Sequence, residues 1–170
     1  ALPADKILVA PTLRQQFEQC EATGRIDNFR RVAGKKEAPF RGRYYDDSDV
    51  YKWVEAASYA LAGGPDEELR GRLRGVAEEI AGAQGPDGYL NTYMGRPGQT
   101  PRYTDFEWGH ELYNFGHLLQ AAVARARTAG RDELFDVAVR VADHVVAEFG
   151  PDGRNAVCGH PVIEVGLGGL

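Results

Sequence analysis

The tetrapeptide Gly-Pro-Asp-Gly occurs twice, at residues 85–88 and 150–153, a separation of 65 residues. A gapless shift of that length lays Ala56-Ala57 on Ala121-Ala122, Leu69 on Leu134, Val76 on Val141, Ala77 on Ala142 and Ile80 on Val145. Apolar residues recur at three- and four-residue steps along most of the chain, and strand-like alternation is scarce. The repeated unit is therefore a helix, a tight turn, a second helix, then a Gly-Asp turn and a long loop. One such pair cannot bury both its faces and must stack on neighbours. The fold class expected is all-α: αα-hairpins stacked as an open solenoid or closed into an (α/α) toroid. In the toroid the long loops and first-helix starts gather at one rim around a concave site.

The spacing predicts a first helix over 12–23, with Thr12 as its N-cap and Gly24 past its end. Residues 24–47 read as a structured loop, because Ile26, Phe29, Phe40, Tyr44 and Tyr45 are too apolar for a free chain. A second helix starts near Ser48 or Asp49, carries Val50, Trp53, Val54, Ala57, Tyr59, Ala60 and Leu61, and stops at Gly63-Gly64. Pro65 opens a third, whose stripe is Leu69, Leu73, Val76, Ala77 and Ile80, ending at Gly85. Further helices are predicted over 107–129 and 131–149. The closing string GHPVIEVGLGGL opens another helix, which at ~11 residues would run past Leu170. Residues 1–170 are thus expected to be the N-terminal portion of one barrel domain, roughly three hairpins with the last incomplete.

Composition excludes some function classes. With 20 basic and 25 acidic residues the net charge is −5, and the basic residues are scattered, so nucleic acid is not an expected partner. Without an uninterrupted apolar run of ~18 residues, a membrane is not expected either. The first residues lack a basic segment leading into a long apolar one, so a signal peptide is absent or was removed. Cys20 and Cys158 form no CxxC pair and read as free thiols in a reducing, cytoplasmic compartment.

Each first helix opens on polar chemistry: DDSDVYK, EWGHELYNFGH and CGHPVIE. His110 and His117 share a face, but two turns separate their Cα atoms by ~10 Å. That spacing does not suit one zinc ion, and no metal site is expected in this segment. His110 and His160, at equivalent rim places, read as ligand contacts. His117 reads as a core histidine satisfied by a hydrogen bond, and His144 as surface or interhelical packing. Glu111 either holds the His110 imidazole or favours the helix dipole. Aromatic rings beside amides and carboxylates suit a sugar, whose C–H faces stack on rings while its hydroxyls hydrogen-bond. Tyr51, Trp53, Tyr89, Asn91, Tyr93 and Trp108 offer such a set, with core packing as the competing role. Paired catalytic carboxylates cannot be named from sequence, since their separation is a three-dimensional distance. No GxSxG elbow or phosphate-binding loop occurs.

The strings TGRIDNFRRVAG, DSDVYKWVEAASYALA, AQGPDGYLNTY, HELYNFGHLLQAAVA, AVRVADHVVAEFG and GHPVIEVGL, in that order, resemble the β-L-arabinofuranosidase family, glycoside hydrolase family 127. The resemblance covers residues 12–170. It implies an (α/α)6 barrel followed by β-sandwich domains, and hydrolysis of β-L-arabinofuranosides with retention. It also implies a cysteine nucleophile on a zinc ion in the full-length enzyme and a glutamate acid/base, both later in the barrel than Leu170. Neither Cys20 nor Cys158 matches the nucleophile motif. Gln16, His110 and His160 match pocket residues that touch the sugar, although Arg14-Gln15 departs from the usual Pro-Tyr. The sugar-binding set expected is therefore Gln16, His110, His160, Trp108, Glu111 and Tyr89. The partner is a small carbohydrate, with a homodimer of the full-length protein also expected, and the 170 residues alone are expected to be inactive. Alternatives are a helical module that binds glycan or protein without catalysis, and another toroid sugar enzyme such as an unsaturated-uronide hydrolase or an epimerase.

Overall fold

The computed structural model describes residues 4–170, with side chains from Val9 onward, and all its regular elements are helices. They are α1 (Ala4–Ala22), α2 (Arg25–Val32), α3 (Asp47–Ala62), α4 (Glu67–Gly82), α5 (Glu111–Ala129), α6 (Glu133–Phe149) and α7 (Val162–Gly169). The odd helices pack side by side, α1 on α3, α3 on α5 and α5 on α7. The even helices form a second layer, α2 on α4 and α4 on α6, and each even helix also packs on the odd helix before it. This is the arrangement of part of an (α/α) barrel, with the first helix of every pair bordering the hollow. None of the described helices is long and apolar enough to cross a membrane.

The apolar stripes explain the layering. On α4, Leu69, Leu73, Val76 and Ile80 are buried, and on α6, Leu134, Val137, Ala138, Val141 and Val145 are buried. Both stripes face the odd layer, while the opposite faces carry arginines and acids. Burying each of these leucine, isoleucine and valine side chains contributes about 1.5–3 kcal/mol, far more than any exposed ion pair on the outer face. α5 lies between three helices and is buried over most of its circumference: Leu112, Phe115, Leu118, Leu119, Ala121 and Ala122 are all in the core.

Several expected boundaries move. α1 begins at Ala4 and runs through Pro11, so Thr12 lies inside the helix and is not its cap. The expected loop over 24–47 contains a helix, α2, which starts after Gly24 in a left-handed conformation and buries Ile26 and Phe29. Asn28 fastens the remaining stretch, donating to the Arg41 carbonyl and accepting from its amide. Pro65 precedes α4 rather than opening it; Asp66 is the N-cap and accepts from the Leu69 amide. Likewise Asp132, one residue after Arg131, caps α6 by accepting from the Leu134 amide. α5 starts at Glu111, four residues later than expected, because residues 106–108 form a turn.

The first Gly-Pro-Asp-Gly turn is a junction between repeats. Gly88 has φ +84, and a side chain there would strike the Arg140 carbonyl of α6. His144 of α6 locks the same turn. Its Nδ1 meets the Asp87 carbonyl at 2.9 Å, so that nitrogen donates, and Nε2 is left to accept from Tyr103 Oη at 2.8 Å. His144, expected at the surface or in interhelical packing, is buried and bridges α6 to this turn and to Tyr103.

Candidate functional site

The rim is built by the turn over 103–110, which two left-handed residues outside glycine shape: Tyr103 and His110, each at φ 58. His110 is the N-cap residue of α5, and its Nδ1 donates to the Trp108 carbonyl. That bond leaves Nε2 as the ring's remaining polar atom. The Trp108 amide donates to Asp105 Oδ1 at 2.8 Å, and the Gly109 amide to the Asp105 carbonyl at 3.0 Å. The Trp108 backbone is therefore held on both sides while the residue is 61% exposed.

The adjoining loop, which leads into α7, brings His160 against His110. Their ring centroids lie 4.1 Å apart. Tyr44 and Tyr45 also pack on His110, at 5.7 and 5.1 Å, and the Tyr113 ring touches both imidazoles edge-on at 5.3 Å. Partial burial, reinforced by His110, holds the His160 pKa below its ordinary value, so this imidazole stays neutral near pH 7. A neutral imidazole offers one donor and one acceptor, the pairing a sugar hydroxyl needs.

Gln16 is exposed on α1. It lines a hollow of about 600 Å³ between α1 and α3, together with Gln19, Asp49, Lys52 and Trp53. Lys52 joins this hollow to the histidines, donating to Tyr113 Oη at 2.8 Å.

Two of the expected sugar contacts are placed elsewhere, and the expectation is corrected. Tyr89 is fully buried and Glu111 nearly so. Tyr89 Oη donates to Glu111 Oε1, and Glu111 Oε2 accepts from the Tyr103 amide at 2.7 Å. Neither of the roles first weighed for Glu111 is its main one: it ties the rim turn to α5 from beneath. Burial raises its pKa, while Tyr89 and Tyr103 partly offset that by hydrogen bonding to the charged form. Of the other ring and amide candidates, Trp53 donates to the Leu13 carbonyl at 2.8 Å in the core, and Tyr51 and Asn91 are fully buried. Tyr93 packs on Phe40 at 4.8 Å.

His117 also departs from expectation. Its Nδ1 is buried with no hydrogen-bond partner, and its ring meets Tyr113 at 4.6 Å. Burial, with help from Lys52, lowers its pKa to about 4. The residues that sequence reasoning missed are Tyr44, Tyr45, Lys52 and Tyr113. Tyr113 was signalled by its place three residues after His110, on the same helix face.

The zinc implied by the family resemblance does not fit the described residues. Among them no three His, Cys, Asp or Glu side chains come together as ligands. The buried Cys20 thiol is pushed up to about 11, chiefly by burial, and Cys158 Sγ is engaged with the backbone of His160. Carboxylates near the rim are also engaged: Asp46 and Asp49 pair with Arg25 at 3.1 and 2.8 Å. The arrangement can hold and orient a polyhydroxylated ligand.

Comparison with known proteins shows the family. The model of the β-L-arabinofuranosidase GH127 catalytic domain matches residues 3–170. A non-reducing end β-L-arabinofuranosidase from Bifidobacterium longum subsp. longum is 40% identical over 151 residues, covering 85% of this chain and 23% of that protein. The crystal structure of a GH127 β-L-arabinofuranosidase from Geobacillus stearothermophilus T6 superposes with a TM-score of 0.81 at 39% identity, covering 87% of this chain and 24% of the other. A second GH127 β-arabinofuranosidase structure gives 0.81 at 36% identity, covering 92% and 26%. The chain spans about a quarter of the length of these relatives.

Proposed function

We propose that this chain, which belongs to the GH127 β-L-arabinofuranosidase catalytic-domain family, forms one wall of the sugar pocket of a β-L-arabinofuranoside hydrolase. Residues 1–170 are the N-terminal portion of its barrel. Gln16, His110 and His160 bind sugar hydroxyls, and the exposed Trp108 ring stacks on a sugar C–H face. The groups that cleave the bond, and any zinc, come from the rest of the full-length protein. The reaction compartment is the cytoplasm, a reading supported by two free cysteines.

One observation carries this reading: two imidazoles from different repeats, 50 residues apart in sequence, meet at 4.1 Å on the rim. A pair with no ligand to hold has little reason to be brought together at a solvent-facing edge. The test is His110→Ala in the full-length protein, assayed on an aryl β-L-arabinofuranoside. kcat/KM falls at least tenfold, or ~1.4 kcal/mol of transition-state stabilisation, in protein that remains folded. Wild-type kinetics would remove the pocket role.

A further inference from the structure

Lys52 and Tyr113 lie between the Gln16 hollow and the histidine pair, and neither is explained by the pocket contacts alone. Lys52 is on α3. Its Nζ donates to Tyr113 Oη at 2.8 Å and to Ser48 Oγ at 3.2 Å, and lies 5.1 Å from the Tyr113 ring centroid. Tyr113 is on α5, where its ring meets three imidazoles: His110 and His160 at 5.3 Å and His117 at 4.6 Å. His110 comes from the start of α5 and His160 from the loop before α7. A half-buried phenol without a tether could turn away from them. A charge-assisted bond from the neighbouring helix holds it in place.

We propose that Lys52, acting through Tyr113, is a positioning residue for the His110–His160 pair. The proposal rests on the pocket reading above. The cation on α3 anchors the phenol, and the phenol wedges against both imidazoles and sets their spacing. Lys52 acts on the sugar only through that wedge.

The experiment uses the full-length protein and an aryl β-L-arabinofuranoside. Lys52→Met and Tyr113→Phe each lower kcat/KM at least fivefold, and the double variant is no worse than either single one, because both remove the same bond. Lys52→Arg, which keeps a cationic donor, restores most of the loss. In a His110→Ala background Lys52→Met adds less than twofold. A crystal structure of Lys52→Met shows the imidazole centroids farther apart than the present 4.1 Å. Multiplying losses in the double variant, wild-type kinetics in both singles, or an unchanged ring pair in the crystal overturns the proposal. Tyr113→Phe removes one oxygen and keeps the ring, so it decides the matter if Lys52→Met fails to fold. If His110→Ala itself has wild-type kinetics, the pocket reading fails, and the crystallographic spacing still judges the positioning.

Discussion

Gly116 lies on α5 where that helix meets α7, and replacing it with alanine tests how that contact places His160. A methyl group there falls 2.6 Å from the Val162 carbonyl carbon and 2.7 Å from the Ile163 nitrogen. Ordinary carbon contacts are ~3.5–4 Å, so α7 must retreat by about 1 Å. The obstacle is backbone, which no rotamer change can clear. Gly166 faces the same interface, where an added Cβ would lie 2.8 Å from the Gly116 carbonyl oxygen. Overpacking of this kind costs about 1–3 kcal/mol, and alanine's better helix propensity recovers up to about 1 kcal/mol. The net loss expected for Gly116→Ala is about 1–2 kcal/mol, at about 2–4 °C of melting temperature per kcal/mol for a unit of this size. His160 lies two residues before α7, so the same retreat carries it away from His110. Displacements of ~1 Å in a site can cost about a hundredfold in rate. kcat/KM on an aryl β-L-arabinofuranoside should therefore fall at least tenfold. Gly71→Ala in α4 is the control: nothing lies within 4 Å of the added methyl, so it stabilises by about 0.5–1 kcal/mol. Wild-type melting and kinetics in Gly116→Ala would refute the reasoning that the α5–α7 contact sets the histidine pair.

Three other perturbations test different parts of the structure. Glu111→Gln keeps the shape but replaces one acceptor oxygen facing Tyr89 and Tyr103 with a donor; urea unfolding should show a loss of about 1–3 kcal/mol, whereas a solvent-facing acid would show none. Asp47 is buried and accepts from the Thr92 amide and hydroxyl; burial raises its pKa from 3.8 to about 6. The folded state therefore binds this proton more tightly, and stability is lost as pH rises through about 4 to 6, by about 3 kcal/mol; Asp47→Asn should flatten that slope in pH-dependent denaturation. His117 works in the opposite sense: with a folded pKa near 4 against 6.5 unfolded, it costs stability as pH falls from 6.5 toward 4. Because its ring is partly solvated the cost is about 1–2 kcal/mol, and His117→Gln should abolish it.

The helical repeat could be read from the chain because it follows from recurrence, and His110 and His160 were paired because each stands at the polar start of a hairpin's first helix. The 65-residue shift placed the two hairpins in register, and equivalent loop ends meet when hairpins stack around a hollow. α2 was hidden because it is short, starts at a left-handed Gly24 without a side-chain cap, and shows only Ile26 and Phe29 as its buried apolar face. Pro11 and Thr12 mimic a helix start, yet α1 runs through them. Glu111 and Tyr89 were misplaced for a geometric reason. Successive helix residues point roughly 100° apart, so a residue adjacent to His110 can face the interior while His110 faces the rim. Periodicity also cannot show that Tyr89, forward of a turn, folds back under the next helix to meet Glu111. Lys52 and Tyr113 are 61 residues apart on different helices, and only the packing of α3 against α5 brings them together.

The most direct test of the central claim is a crystal structure of the full-length protein with L-arabinofuranose or a non-hydrolysed β-L-arabinofuranoside bound. The expected result places His110 Nε2 and the His160 imidazole within about 3 Å of hydroxyls on one sugar ring, with Gln16 on the same ligand. A sugar bound elsewhere, with both imidazoles touching only protein, would contradict it.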